Sequence, residues 1–113
     1  MAKIKLPDPL ARRHLLEGEL DAAKALAYGE AYLEDGREVE AVDFLAVAEA
    51  TDALAGLQTV AVERGDVFLM RIASGALGSD PSYERWTELA EAAIAAGRER
   101  DAETARRLAT VRD

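Results

Sequence analysis

The pattern of apolar and polar positions is helical along nearly the whole chain. Apolar residues recur three and four positions apart, and polar stretches with glycine or proline separate these segments. Asp8-Pro9 predicts the start of a short helix that ends before Gly18, because aspartate caps free amides and proline fits the first helical position. The longer segments predict six more helices, through residues 19–35, 37–50, 51–64, 67–72, 82–96 and 98–111.

Three glycines predict the turns of helical hairpins. Gly36, Gly65 and Gly97 each follow a predicted helix, at a position where a left-handed cap favours glycine. They lie 29 and 32 residues apart, and a repeat length in this range is typical of stacked helical arrays. A single domain over residues 1–113 then comprises four parts, an N-terminal segment with a short helix and three hairpins: 1–18, 19–50, 51–79 and 80–113.

The segment around Gly65 has a second interpretation. Valines on both sides of this glycine, together with Phe68, favour strands, so a β-hairpin through residues 64–66 competes with the helical hairpin. Two strands would have no third partner in the chain, which favours helices. The run through residues 67–72 is apolar all round, and a helix of this kind is expected to be buried in the middle of the domain.

Composition supports an all-α fold. The chain has 24 alanines among 113 residues and only 5% aromatic residues, and alanine favours helices that pack closely. There is no cysteine, so disulfides and thiolate chemistry are excluded. No apolar run is long enough for a transmembrane helix, and charged residues interrupt the first apolar stretch. We therefore expect a cytoplasmic protein that does not enter a membrane.

The net charge of −8 is concentrated in the middle of the chain. Residues 17–66 carry 13 acidic side chains against three basic ones, which gives −10. An acidic middle disfavours nucleic acid, because phosphates require a basic patch. Two interpretations stay open, a solvated helical surface and a field that attracts a basic partner.

The first predicted hairpin has large and small residues at fixed positions around its turn. Large, small, aromatic, turn, small, large and small residues follow one another as Tyr28, Gly29, Tyr32, Gly36, Ala41, Leu45 and Ala48. This pattern resembles the tetratricopeptide repeat. Small residues let the two helices approach closely, and the large ones fill the space around them.

The later hairpins match this pattern less completely. In the last hairpin, Trp86 and Leu89 resemble the W-x-x-L opening of the family, whereas Arg106 replaces a large apolar residue. We expect Arg106 to face water on a capping helix. The middle hairpin departs from the pattern at Gln58, Ala61 and Met70.

The resemblance implies an all-α fold in which three antiparallel hairpins stack as a short right-handed solenoid after an N-terminal helix. A compact helical bundle without an open groove is the alternative. In this family the first helix of each hairpin lines a concave face that binds peptides. Transferred position by position, the resemblance predicts these groove residues: Leu26, Glu30, Leu33, Glu34, Thr59, Val62, Glu63, Glu84, Thr87, Glu91 and Ile94.

The sequence contains no arrangement typical of a catalytic or metal site. His14 is the only histidine, so a Ser-His-Asp triad or a pair of histidine ligands is not available within the chain. We expect His14 to be a half-buried packing residue. No EF-hand or phosphate-loop spacing is present. The sequence therefore predicts no enzyme, no cofactor and no metal.

The predicted function is a protein- or peptide-binding scaffold with an acidic and apolar groove. The partner expected for this surface is a basic amphipathic segment. The alternative is a structural helical protein that associates with a second copy of itself as a homodimer.

Overall fold

The computed structural model describes residues 4–110, and all secondary-structure elements in this range are helices. The all-α prediction is confirmed, and the competing β-hairpin around Gly65 is wrong. The seven helices are α1 (Pro9–Glu17), α2 (Ala22–Glu34), α3 (Glu38–Val47), α4 (Thr51–Arg64), α5 (Val67–Leu77), α6 (Tyr83–Ala95) and α7 (Glu99–Thr110).

Several helix ends differ from the predicted ones. Helix α2 begins at Ala22 rather than residue 19, because the carboxylate of Asp21 accepts a 2.8 Å hydrogen bond from the Lys24 amide and caps the helix. Helix α5 continues through Gly75 to Leu77, beyond the predicted end at residue 72. At the start of α6 the cap is the Ser82 hydroxyl, and the helix begins at Tyr83, one residue after the predicted start.

The chain comprises two compact units, Met1–Leu54 and Ala55–Asp113. The first unit contains α1, α2, α3 and the first turn of α4. In it, α2 and α3 form a hairpin in which Gly29 lies against Leu45: a Cβ atom added to Gly29 would come within 2.7 Å of Leu45 Cδ2. Tyr32, Ala41, Phe44 and Leu45 are fully buried. The close approach predicted from small residues at this seam is therefore confirmed at Gly29 and Ala41.

The buried stripe of α2 differs from the one that the apolar pattern indicated. Ala23, Ala27 and Ala31 are spaced as one apolar face of this helix, but the buried residues of α2 are Ala25, Gly29 and Tyr32. Because alanines occupy nearly every face of this helix, the apolar pattern alone does not distinguish the two stripes.

The second unit contains the rest of α4 and helices α5, α6 and α7. Its core joins all four helices and includes one large aromatic residue, Trp86, among small and medium apolar side chains. Gln58 Nε2 donates a 3.0 Å hydrogen bond to the Ser74 hydroxyl across α4 and α5. This polar pair explains how glutamine is accommodated where the repeat pattern has a small residue.

The expectation that α5 is buried on all sides is wrong in part. Val67, Leu69, Met70 and Ala73 of α5 are buried, but Phe68 is 62% exposed, so this helix is not buried on all sides.

The three predicted turn glycines adopt left-handed backbone conformations. Their φ angles are +76° at Gly36, +70° at Gly65 and +77° at Gly97. Each turn has the paired hydrogen bonds of a Schellman motif, such as Gly65 N–H to Val62 O and Asp66 N–H to Ala61 O. The α3–α4 turn has the same pattern, with a glutamate in the left-handed position: Glu49 has φ of +53°.

The first and last helices present mostly polar surfaces. Helix α1 has no buried residue, and His14 is exposed, so the prediction of a half-buried histidine is wrong. In α7 the buried residues are all alanines: Ala102, Ala105 and Ala109. Arg106 is exposed on this helix, as expected for a capping helix.

Candidate functional site

The predicted groove residues of the first unit all lie on α2, outside its buried stripe. Leu26 is 37% exposed. Glu30 and Glu34 are exposed, and Leu33 is half-buried. Spacings of four and three residues place Leu26, Glu30 and Leu33 on one side of the helix. This side of α2 therefore presents apolar surface next to two carboxylates.

A depression of about 180 Å³ lies at the carboxyl end of α2. Ile4 and Leu6 of the N-terminal segment line it together with Ala31, Glu34 and Asp35 of α2 and its turn. The predicted groove residue Glu34 is thus bordered by apolar side chains from the beginning of the chain. The depression is much smaller than the pockets that hold drug-sized ligands.

The other seven predicted residues lie in the second unit, on α4 and α6. Val62 and Thr87 are half-buried, and the remaining five are exposed: Thr59, Glu63, Glu84, Glu91 and Ile94. A guanidinium nitrogen of Arg85 lies 3.5 Å from the Thr59 hydroxyl, which connects α4 to α6 on this side. Ile94 is 49% exposed, close to the Glu91 carboxylate in sequence.

One of these side chains is engaged within its own helix. The Thr87 hydroxyl donates a 2.9 Å hydrogen bond to the Tyr83 carbonyl, one turn earlier in α6. Its donor is therefore occupied within α6.

Sequence reasoning missed a second group of interacting side chains in the first unit, an arginine–aromatic cluster. Its members are Arg12, Tyr32, Arg37 and Phe44. The Tyr32 and Phe44 rings stack with centroids 5.5 Å apart and planes inclined by 16°. The guanidinium carbon of Arg12 lies 5.6 Å from the Tyr32 centroid and 5.4 Å from that of Phe44. Arg37 lies 4.9 Å from the Tyr32 centroid, so both guanidinium groups are within cation–π range.

Hydrogen bonds fix each arginine of this cluster. Arg12 Nη2 donates to the Glu40 main-chain carbonyl at 2.7 Å and to Asp43 Oδ2 at 3.1 Å. Arg37 and the Glu40 carboxylate form a two-pronged ion pair, with Nε donating to Oε1 at 2.7 Å. Hydrogen bonding from Arg37 lowers the pKa of Glu40 below its ordinary value, and the same contact raises the pKa of Arg37.

Two buried polar atoms in the cluster lack a hydrogen-bond partner within residues 4–110. They are Nε of Arg12 and the hydroxyl of Tyr32. Buried polar groups are normally hydrogen-bonded, so orphaned atoms at one place are unusual. Tyr32 itself has no exposed surface.

The described residues contain no group of three or more His, Cys, Asp or Glu side chains arranged to hold a metal ion. None of the helices in this range has the length and apolar character needed to cross a membrane. Comparison with known proteins gives no relative: no protein-family model, curated protein or solved structure matches the chain.

Proposed function

We propose that this protein is a non-catalytic scaffold that binds a protein or peptide on the exposed sides of α2, α4 and α6. The observation that carries the proposal is the exposure of Leu26 and Ile94 beside Glu30 and Glu91. Apolar side chains of this size add little to the stability of a helix when they face water. In a binding surface they supply contact area, while neighbouring charges steer the partner.

We further propose that the hairpins stack as a short solenoid of the tetratricopeptide type. Two contacts in the second unit support this arrangement. Arg85 reaches Thr59 between the first helices of the two hairpins. The Val67 amide lies 3.5 Å from Asp101 Oδ2, at the starts of the two second helices. Neighbouring first helices and neighbouring second helices are what a stack of hairpins produces.

The chemistry of the surface indicates a basic amphipathic partner segment. Its apolar side chains would contact Leu26 and Leu33 on α2, or Ile94 on α6, with lysine or arginine near the neighbouring carboxylates. Rim charges chiefly raise the association rate, and salt screens them over about 10 Å at 0.1 M. Binding is therefore expected to weaken severalfold between low and high ionic strength.

The experiment uses the double variant Glu30→Lys/Glu91→Lys. The immobilised protein captures partners from a lysate, and a captured partner is then titrated at several salt concentrations. Both glutamates are exposed, so the fold should persist by circular dichroism. We expect the double variant to slow association of that partner by at least tenfold at low salt.

A matched control carries the same change of charge elsewhere. Glu19 precedes α2 and Glu103 lies on α7, and both are exposed. The variant Glu19→Lys/Glu103→Lys should retain most of the association rate. An affinity that responds equally to both double variants, or to neither, would show that the binding site lies on another surface.

Self-association is the second candidate, and exposed Phe68 favours it. A phenylalanine that is 62% exposed on α5 is the type of residue that a second copy would cover. Light scattering over a range of concentrations tests this candidate. A dimer that Phe68→Ser abolishes would support it, and a monomer at all concentrations would reject it.

A further inference from the structure

The contacts of Arg12 outline a site with the chemistry of an arginine receptor. We call this site the arginine cradle; it consists of the Tyr32 and Phe44 rings, the Glu40 carbonyl and the Asp43 carboxylate. The two rings lie within 5.6 Å of the Arg12 guanidinium carbon. The two oxygens accept hydrogen bonds from one guanidinium nitrogen, at 2.7 and 3.1 Å.

This arrangement is selective for a guanidinium group. A planar guanidinium stacks on aromatic rings and donates in its own plane to two acceptors at once. A lysine ammonium is a compact, strongly hydrated charge that makes no equivalent stacking contact. The cradle therefore distinguishes arginine from lysine through its rings, while Asp43 supplies the charge attraction.

The helix that carries Arg12 lies at the surface of the first unit. No residue of α1 is buried, and Leu10 is 62% exposed. Only residues 18–21 connect α1 to α2. Arg12 Nε and the Tyr32 hydroxyl find no partner among the described residues, so the fit of Arg12 in the cradle leaves one buried polar atom unpaired on each side. A segment that has few buried contacts is readily displaced by a competitor.

We propose that the arginine cradle binds an arginine side chain of a partner protein, and that α1 occupies it through Arg12 until the partner displaces it. The cradle uses none of the residues of the proposed groove, so this inference stands apart from the proposed function. It adds a second recognition site, which α1 keeps covered until a partner binds.

The first experiment empties the cradle in the full-length chain with Arg12→Ala and adds methylguanidinium. Binding to the folded state raises the melting temperature, by roughly 6 °C when the ligand is about ten times its Kd. We expect a rise of this size for Arg12→Ala, increasing with the logarithm of the ligand concentration, and none for the wild type, whose cradle is filled. Methylammonium should give no rise in either protein.

Arg13→Ala is the matched control. Arg13 neighbours Arg12 on the same helix but is exposed, and its ion pair is with Glu17 of that helix, at 3.0 Å. Methylguanidinium should not stabilise this variant. If Arg12→Ala is unfolded at room temperature, methylguanidinium should restore its far-UV circular dichroism. Equal responses of the two variants, or no response of Arg12→Ala, would overturn the proposal.

The second experiment tests displacement with an alanine-based helical peptide that carries one central arginine. Because α1 competes in the wild type, Arg12→Ala should bind this peptide at least tenfold more tightly. A matched lysine peptide should bind both proteins more weakly. In the wild type, the arginine peptide should accelerate amide hydrogen exchange in residues 13–17. Equal affinity of both proteins for the arginine peptide would refute displacement.

Light scattering distinguishes a foreign arginine from the Arg12 of a second copy. A wild-type protein that stays monomeric over the concentration range supports a foreign partner. A concentration-dependent dimer that Arg12→Ala abolishes and Arg13→Ala retains would show that two copies exchange α1, with Arg12 of one copy in the cradle of the other. This result would overturn the assignment to a foreign partner.

Discussion

Replacement of Gly65 by alanine tests the close approach between the α4–α5 turn and α6. The backbone at Gly65 has φ of +70°, a conformation that costs an L-residue about 1–2 kcal/mol. A Cβ atom added there would also lie 2.4 Å from both Cα and N of Ala93. Because these are backbone atoms of α6, a side-chain rotation cannot relieve the overlap.

The expected loss follows from these two effects. Overpacking in a close-packed interior costs typically about 1–3 kcal/mol. The lower backbone entropy of unfolded alanine offsets about 0.4–1 kcal/mol of the total. We expect Gly65→Ala to lower the free energy of unfolding by about 2–4 kcal/mol. A chain of this length has about 6–17 kcal/mol in all, so the variant should remain folded but be clearly weakened.

Gly36 and Gly97 separate the backbone effect from the steric one. They have φ of +76° and +77°, and an added Cβ would meet nothing within 4 Å. Alanine at either position should cost only about 1 kcal/mol, since the steric overlap is missing. Urea unfolding of the three variants, followed by circular dichroism, measures the difference. Equal losses would refute the close approach at Ala93, and a loss at Gly65 below about 1 kcal/mol would refute the left-handed conformation as well.

Three further predictions concern other features of the structure. Glu49→Gly should raise the free energy of unfolding by about 1 kcal/mol, because glycine adopts the +53° φ of this position without strain. Urea unfolding measures this change, and an unchanged midpoint would contradict the assigned turn. Ala41→Leu should lower the free energy of unfolding by about 1–3 kcal/mol, because Ala41 has no exposed surface. Ala95→Leu, at an exposed position, should lower it by less than about 0.5 kcal/mol in the same assay. Equal midpoints would show that the α2–α3 seam is not tightly packed. The lowered pKa of Glu40 means that its ion pair with Arg37 stabilises the fold above the ordinary pKa of 4.5 and loses this effect as the pH falls through the lowered value. Between pH 4.5 and the lowered value, stability should therefore fall less steeply with decreasing pH for Glu40→Gln than for the wild type, and parallel curves would argue against the ion pair.

Local signals predicted most of the helical framework. Glycine after a helix favours a left-handed cap because it has no Cβ atom, and for this reason Gly36, Gly65 and Gly97 were recognised as turns from the sequence. The α3–α4 turn contains Glu49 in the same conformation, and a glutamate gives no sequence signal for a left-handed turn. The end of α5 was less predictable, because a glycine such as Gly75 inside a helix and one in a loop look alike without their surroundings.

The side-chain surroundings were less predictable, for two physical reasons. Alanine is apolar but small, so a helix rich in alanine has no clear apolar side, and the choice between stripes of α2 depended on packing with Leu45. The arginine–aromatic cluster brings Arg12 to residues 28 and 31 positions further along the chain. No motif or spacing connects residues that far apart, and a single arginine in a polar helix is ordinarily solvated.

The short links between paired helices determine how quickly the chain can acquire its structure. Residues 35–37 join α2 to α3, and residues 96–98 join α6 to α7. Side chains that meet across such a link are near neighbours along the chain, so bringing them together sacrifices little chain entropy. Helical proteins dominated by local contacts of this kind refold in microseconds to milliseconds. A stopped-flow refolding experiment should accordingly find most of the circular dichroism signal recovered within the first milliseconds after dilution from denaturant.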